Sequence, residues 1–383
     1  VDVYAVFGCS LLSGMLMIMS VPSNATIIAH EDMGAFAGIT ILDVTLKLSA
    51  ALSLYLLPEQ NLLLSYALLM LCVAAIVRSV YWFYCHRHYR TIRFRWVKGG
   101  ALYREMLSFM GWNTFGNAAY VGNTQGINLV LNAFGGPVVN AARGVAFQVQ
   151  TAVTQFIASF QTAINPQITK TYAQGQVDQT NRLILISSRL SFMLMLFIAL
   201  PLWLDTDYIL ALWLGKVPPY ASDFIRWMLC ATLVDCVANP MMIGASATGR
   251  VKTYYLVIGT TLLLTLPVGY FVVRTTGNPT HIFITLLATT ILAQIFRMAI
   301  CRGLFQFSVR AFLRKVVGRI CLTGGLAAAA SYWLFTVIAP NTIWQHAGFV
   351  FSSMTLSAIL VLIFGLEATE RNFLAKKLHL PHP

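Results

Sequence analysis

Long apolar runs recur along almost the whole chain, broken by short polar or charged stretches. They occupy 3–24, 34–57, 60–85, 106–135, 138–165, 182–204, 223–248, 251–273, 278–300, 316–337 and 342–366. A run of about 20 residues is long enough, as a helix, to cross the roughly 30 Å hydrocarbon layer of a bilayer. A barrel strand would need only about ten residues of alternating polarity, a pattern these runs lack. Eleven membrane-spanning helices are therefore predicted, and the expected fold class is an all-α polytopic membrane protein.

Composition narrows the picture. The chain of 383 residues is 58% hydrophobic and 10% charged, where a soluble domain is about a quarter charged. With a mean hydropathy of +0.71, this excludes a soluble enzyme, a secreted disulfide scaffold and a disordered chain. The net charge of +13 does not point to a nucleic-acid partner, because the basic residues sit between the apolar runs. The seven cysteines form no CxxC pair and no Cys/His ligand set, so neither disulfides nor a metal site is expected.

The same basic residues orient the chain. Segments 86–105, 166–182, 249–252, 297–319 and the tail hold nineteen Lys and Arg, all on one side if the runs alternate, against Lys216 and Arg274 opposite. The positive-inside bias makes the rich side cytoplasmic, with the carboxy terminus inside and Val1 outside. Pro22–Ala29 and Pro240–Ala247 are weakly alike and lie six runs apart, as in a parallel-repeat transporter. The expectation is a chain lacking three preceding helices of a longer protein. Residues 1–85 would end an amino-terminal lobe and 86–105 would be a basic cytoplasmic linker. Residues 106–300 would form a six-helix carboxy-terminal lobe, 301–315 a cytoplasmic connection, 316–366 an extra helix pair and 367–383 a cytoplasmic tail.

Charge within hydrocarbon is costly, so each intramembrane ionisable residue is a candidate. Asp43 and Lys47 are one helical turn apart and can neutralise each other; they either hold helix packing or line a cavity in which Lys47 receives an anion. Asp235, beside Asn239-Pro240, either pairs with a neighbouring helix or serves as a cation or proton site. Arg78, Arg189 and Arg226 are expected to snorkel as anchors, and Arg143 either snorkels or binds a ligand. Asn113, Asn117, Tyr120, Thr124 and Asn128 follow helical spacing on one run, as do Gln148, Thr151, Gln155, Ser159 and Thr162 on the next. Each set lies on one helical face. The faces either hydrogen-bond in a dry interface or line a watered cavity, with Arg143 at its border. The basic stretch from His86 to Trp96 interleaves aromatics and cations, as a topology anchor on anionic headgroups or a guide for an anionic lipid.

Several segments carry a family resemblance. Ala141-Ala-Arg-Gly-Val-Ala146 with Gln148, then Asn165-Pro-Gln-Ile-Thr-Lys-Thr-Tyr-Ala-Gln-Gly175, resemble the second helix of a carboxy-terminal lobe in polysaccharide-type flippases. Val21-Pro-Ser-Asn-Ala-Thr-Ile-Ile-Ala-His-Glu31 and Leu42-Asp-Val-Thr-Leu-Lys-Leu48 resemble the fourth and fifth helices. These flippases belong to the multidrug/oligosaccharidyl-lipid/polysaccharide exporter superfamily. The resemblance implies two six-helix lobes around a V-shaped cavity, working by alternating access in the bacterial cytoplasmic (inner) membrane. In the O-antigen and capsule branches the implied substrate is an undecaprenyl-diphosphate-linked oligosaccharide, flipped outward. Lipid-linked oligosaccharide, membrane lipids and polysaccharide assembly proteins are the partners so implied. No cofactor is expected, and an ion gradient or the membrane potential would drive the cycle.

Lys47, Arg143, Asn113, Asn117, Asn128, Gln148 and Gln155 are the expected substrate-binding residues, and Asp43 and Asp235 the ion-coupling candidates. A drug/cation antiporter of the same superfamily is the rival, but its cavity should carry an excess of carboxylates. A polysaccharide polymerase or ligase is further off: the external stretch 205–222 has no His, and no nucleophile–base constellation appears.

Overall fold

Chain hydrophobicity is expressed almost wholly as helix. The computed structural model describes residues 2–56, 62–89, 99–367 and 370–371, and among these there is no strand. Among the described residues nine helices are long and apolar enough to span a membrane. Two further limbs, more polar, belong to one merged helix, which makes eleven helices of membrane length among the described residues. The chain divides into two units, residues 1–99 and 100–383.

The first unit holds α1 (Asp2–Ala29), α2 (Met33–Ser53), a 3-10 turn at Leu54–Leu56 and α3 (Leu62–His88). Its small core gathers Ile27, Ile39, Tyr81 and Cys85. Asp32 organises one end of it. Its carboxylate caps α2 by accepting from the Ala35 backbone N–H (3.1 Å), and it accepts from the hydroxyls of Tyr84 (2.6 Å) and Tyr89 (3.2 Å). Arg78 donates to Ser23 across the α1–α3 interface at 3.2 Å. Large apolar side chains such as Met17 and Ile18 stay over 70% exposed, as lipid-facing positions do.

The second unit begins with α4 (Gly100–Ala173), 74 residues long. A straight helix of that length would run about 110 Å, several times the hydrocarbon thickness. It does not run straight. Gly136 adopts φ 63°, ψ −163°, a conformation essentially reserved for glycine, and Pro137 opens the returning limb. The two limbs fold back together, so that Tyr120 and Thr154 line one cavity rather than standing about 50 Å apart.

Then follow α5 (Val177–Leu204), α6 (Thr206–Leu214), α7 (Ala221–Cys236), α8 (Asn239–Ala247), α9 (Lys252–Leu263), α10 (Thr265–Thr276) and α11 (His281–Phe305). Next come α12 (Val309–Phe312), α13 (Gly318–Ile338) and α14 (Ile343–Leu360). π-helical turns at Leu313–Val317 and Val361–Gly365 adjoin the last two. Ile127, Leu131, Met195, Phe224, Met228 and Phe283 knit α4, α5, α7 and α11 into one core. Ile168, Ile184, Met241, Tyr254 and Phe305 form a second.

Several local expectations change. The stretch 205–222 contains the helix α6, and Arg302 lies inside α11 rather than in the connection expected at 301–315. Pro22 sits within an unbroken α1, whereas Pro240 follows a break between α7 and α8. The break survives because its freed carbonyls find partners: Gln161 donates to Cys236 O and Ser188 to Val237 O, each at 2.9 Å. Arg189 is no interfacial anchor. Its side chain is 1% exposed and pairs with Glu367 at 3.4 Å and with Glu370. It also donates to Lys315 O (3.2 Å), a carbonyl within the first π-turn. His346 of α14 meets the buried Asp205 carboxylate at 2.9 Å and stacks on Tyr208, which pins α14 to the α5–α6 junction. Residues 90–98 of the basic stretch 86–105 and most of the tail 367–383 lie outside the described residues.

Candidate functional site: a cationic cavity in the second unit

The limbs of α4, with α7, α9 and α11, enclose a cavity of about 510 Å³. Small and polar residues make room for it. Gly116 and Gly126 sit where an added Cβ would collide with Tyr255 and Leu266, so α9 and α10 approach the first limb closely. Tyr255 in turn donates its hydroxyl to Asn113.

On the first limb Asn117, Tyr120, Asn123 and Thr124 line the cavity; on the returning limb Arg143, Phe147, Gln150, Thr151, Thr154 and Gln155 do so. Asp235 and Asn239 enter from the broken α7–α8 helix, and Arg297 from α11. Three lining side chains are charged: two arginines and one carboxylate, a net charge of +1.

Arg143 is 4% exposed. Its guanidinium lies 4.8 Å from the Phe147 ring centroid, a cation–π contact. Among the described residues no carboxylate lies within ion-pairing distance of it, and its Nε has no hydrogen-bond partner. Asn123, 5% exposed, likewise leaves its Oδ1 unsatisfied. Buried polar atoms are normally bonded, so these two are exceptions among the side chains that line the cavity. Arg297 differs. It is 7% exposed, pairs with Asp235 at 3.3 Å and reaches Gln294 Oε1 at 3.4 Å. Its charge is already opposed, and Asp235 is a half-exposed partner rather than an isolated carboxylate.

Of the candidate residues, Asn117, Arg143, Gln155 and Asp235 meet on this cavity. Asp43 and Lys47 form their own ion pair (2.7 Å) in the first unit. Asn113 is held by Phe109 O and Tyr255, and Asn128 donates to Gln125 at 3.0 Å; neither they nor the exposed Gln148 line the cavity. The lining face is thus turned from the expected one. On the returning limb it runs through Arg143, Phe147, Gln150 and Thr154, at spacings of 4, 3 and 4, so Arg143 belongs to the face rather than bordering it. Starting the count at the cation instead of at Gln148 finds Gln150, which donates to Thr232 at 2.9 Å. Arg297 carried no comparable signal, because its neighbours in sequence resemble an ordinary helix end.

Residues 105–271 match the MatE family model. No curated protein matches the chain in sequence. A crystal structure of MATE in complex with MaL6 is similar in fold, with a TM-score of 0.67 and 15% identity, covering 78% of this chain and 69% of that one. Also similar is an outward-facing conformation of a multidrug resistance MATE family transporter of the MOP superfamily. Its TM-score is 0.63 at 16% identity, over 78% and 69% of the respective chains. With its described residues helical and its cavity inside the matched region and α11, the chain is a multi-pass helical membrane protein with the MATE transporter fold.

Proposed function

We propose that the protein is an alternating-access transporter of the bacterial inner membrane that moves a lipid-linked, diphosphate-bearing oligosaccharide outward. The carboxy terminus is cytoplasmic in this reading, and an ion gradient or the membrane potential supplies the energy. The observation that carries it is Arg143: a buried, unpaired cation on a wall of amides. A diphosphate needs fixed positive charge where water is scarce, and guanidinium suits phosphate oxygens in geometry as well as charge. Sugar hydroxyls need groups that both donate and accept, which Asn117, Asn123, Gln150 and Gln155 supply. Export would hand the glycan to polysaccharide assembly proteins.

A charge-assisted hydrogen bond is worth about 1.5–3 kcal/mol, so Arg143→Gln should weaken binding of a polyprenyl-diphosphate glycan roughly 10- to 100-fold and reduce surface glycan accordingly. Membrane insertion should be unchanged. Asp43→Ala/Lys47→Ala tests the first-unit pair in the same assay; normal export there makes that pair structural. The second reading is a drug/cation antiporter, which the multidrug resistance MATE neighbour and the cavity-facing Asp235 support. Normal glycan binding by Arg143→Gln, together with cation efflux that requires Asp235, would replace the first reading with the second.

A further inference from the structure

A second cavity of about 920 Å³ lies where the start of α4 meets the turn between α8 and α9. Arg104, Arg250 and Lys252 form its charged end, and Phe109 and Trp112 an apolar wall. From Arg104 to Trp112 the helix rises about 12 Å, enough to pass from the headgroup layer into the first methylenes. The Lys252 ammonium sits 5.3 Å from the Trp112 ring centroid, and holds the indole at that boundary by a cation–π contact. Among the described residues none of the three cations has a carboxylate within ion-pairing distance, although Glu105 lines the same cavity. Two half-buried cations of the same unit, by contrast, are opposed: Arg226 by Asp207 at 2.7 Å and Lys315 by Glu367 at 3.7 Å. The cluster is therefore a net positive pocket, graded from charge to hydrocarbon.

We propose that this pocket binds the phosphate of an anionic membrane phospholipid, whose acyl chains run along Phe109 and Trp112. The assignment is independent of what the central cavity carries. Free phosphate would satisfy the cations but would leave the apolar wall without a partner. The full chain is placed in vesicles containing phosphatidylglycerol or phosphatidylcholine with brominated acyl chains. Quenching at Trp112 is isolated as the difference from Trp112→Phe.

One basic residue near an anionic surface is worth about fivefold, so phosphatidylglycerol should occupy the site at least about fivefold better than phosphatidylcholine. Arg104→Gln/Arg250→Gln, which leaves the Lys252–Trp112 contact in place, should bring that preference close to one. If the double variant is unstable, Arg250→Gln alone, at an exposed turn, should still reduce it severalfold. Equal quenching by the two lipids, or a preference that survives these substitutions, overturns the proposal. So does loss of the preference in excess inorganic phosphate, which would make the site one for the free anion.

Discussion

Asp235 and Arg297 allow the decisive separation between a carboxylate that couples ions and one that neutralises a buried cation. The pair stands at 3.3 Å, with the arginine side chain 8% exposed and the aspartate side chain 52% exposed. At an effective dielectric constant of about 20, two unit charges at that distance attract by about 5 kcal/mol before solvation is counted. Desolvating the guanidinium offsets much of this. Fully exposed pairs retain at most about 1 kcal/mol, whereas breaking buried ones costs about 3–5 kcal/mol. With one partner buried and the other open to the cavity, a net coupling of about 1–2 kcal/mol is expected.

Asp235→Asn, Arg297→Gln and the double variant complete a cycle, read by unfolding in mixed micelles and by transport per folded molecule. The single change at Asp235 raises the cavity from +1 to +2 and leaves Arg297 unopposed, so stability and transport should both fall. The double change restores +1, carried by Arg143 alone. It should be less destabilised than the two single changes together and should transport the proposed diphosphate-bearing substrate at close to the parent rate. Additive losses, with coupling under about 0.3 kcal/mol, would refute the pairing. A folded double variant that fails to transport, and has lost a pH dependence present in the parent, would make Asp235 an ion-coupling group.

Arg189→Leu should destabilise by about 3 kcal/mol and expose α14 to proteolysis, because Glu367, Glu370 and Lys315 O lose their shared donor. Glu367 gives a pH signature: partial burial pushes its carboxyl up, but Lys315 and Arg189 pull harder, leaving it below the ordinary 4.5. Its contribution is therefore complete above that value and disappears as pH falls through the lowered folded pKa. Glu367→Gln should remove part of the acid destabilisation seen in a stability–pH profile. Gly116→Ala forces a methyl into the Tyr255 ring and should cost about 1–3 kcal/mol; Tyr255→Leu in the same molecule should recover part of that loss.

Local pattern carried much of the architecture. Runs of apolar residues were sufficient to predict the helices, and the boundary between the runs 106–135 and 138–165 fell at the Gly136 turn inside α4, because helix length and backbone reversal depend on neighbours a few residues away. The polar stripes located both limbs that enclose the cavity. Their rotation was another matter: periodicity says which residues share a face, but the crossing of α4 with α7, α9 and α11 decides which part of that face opens on the cavity. Hence Gln150 and Asn123 line it, while Gln148 and Asn128 do not. Charges were least legible. Arg297 lies 62 positions from Asp235, and Arg189 lies 178 from Glu367. Whether such a group snorkels, pairs or stays unopposed depends on the dielectric and the partners that packing brings to it. Sequence alone made this a helical membrane protein with a polar interior; only the packing of distant helices left Arg143 as the unpaired charge within it.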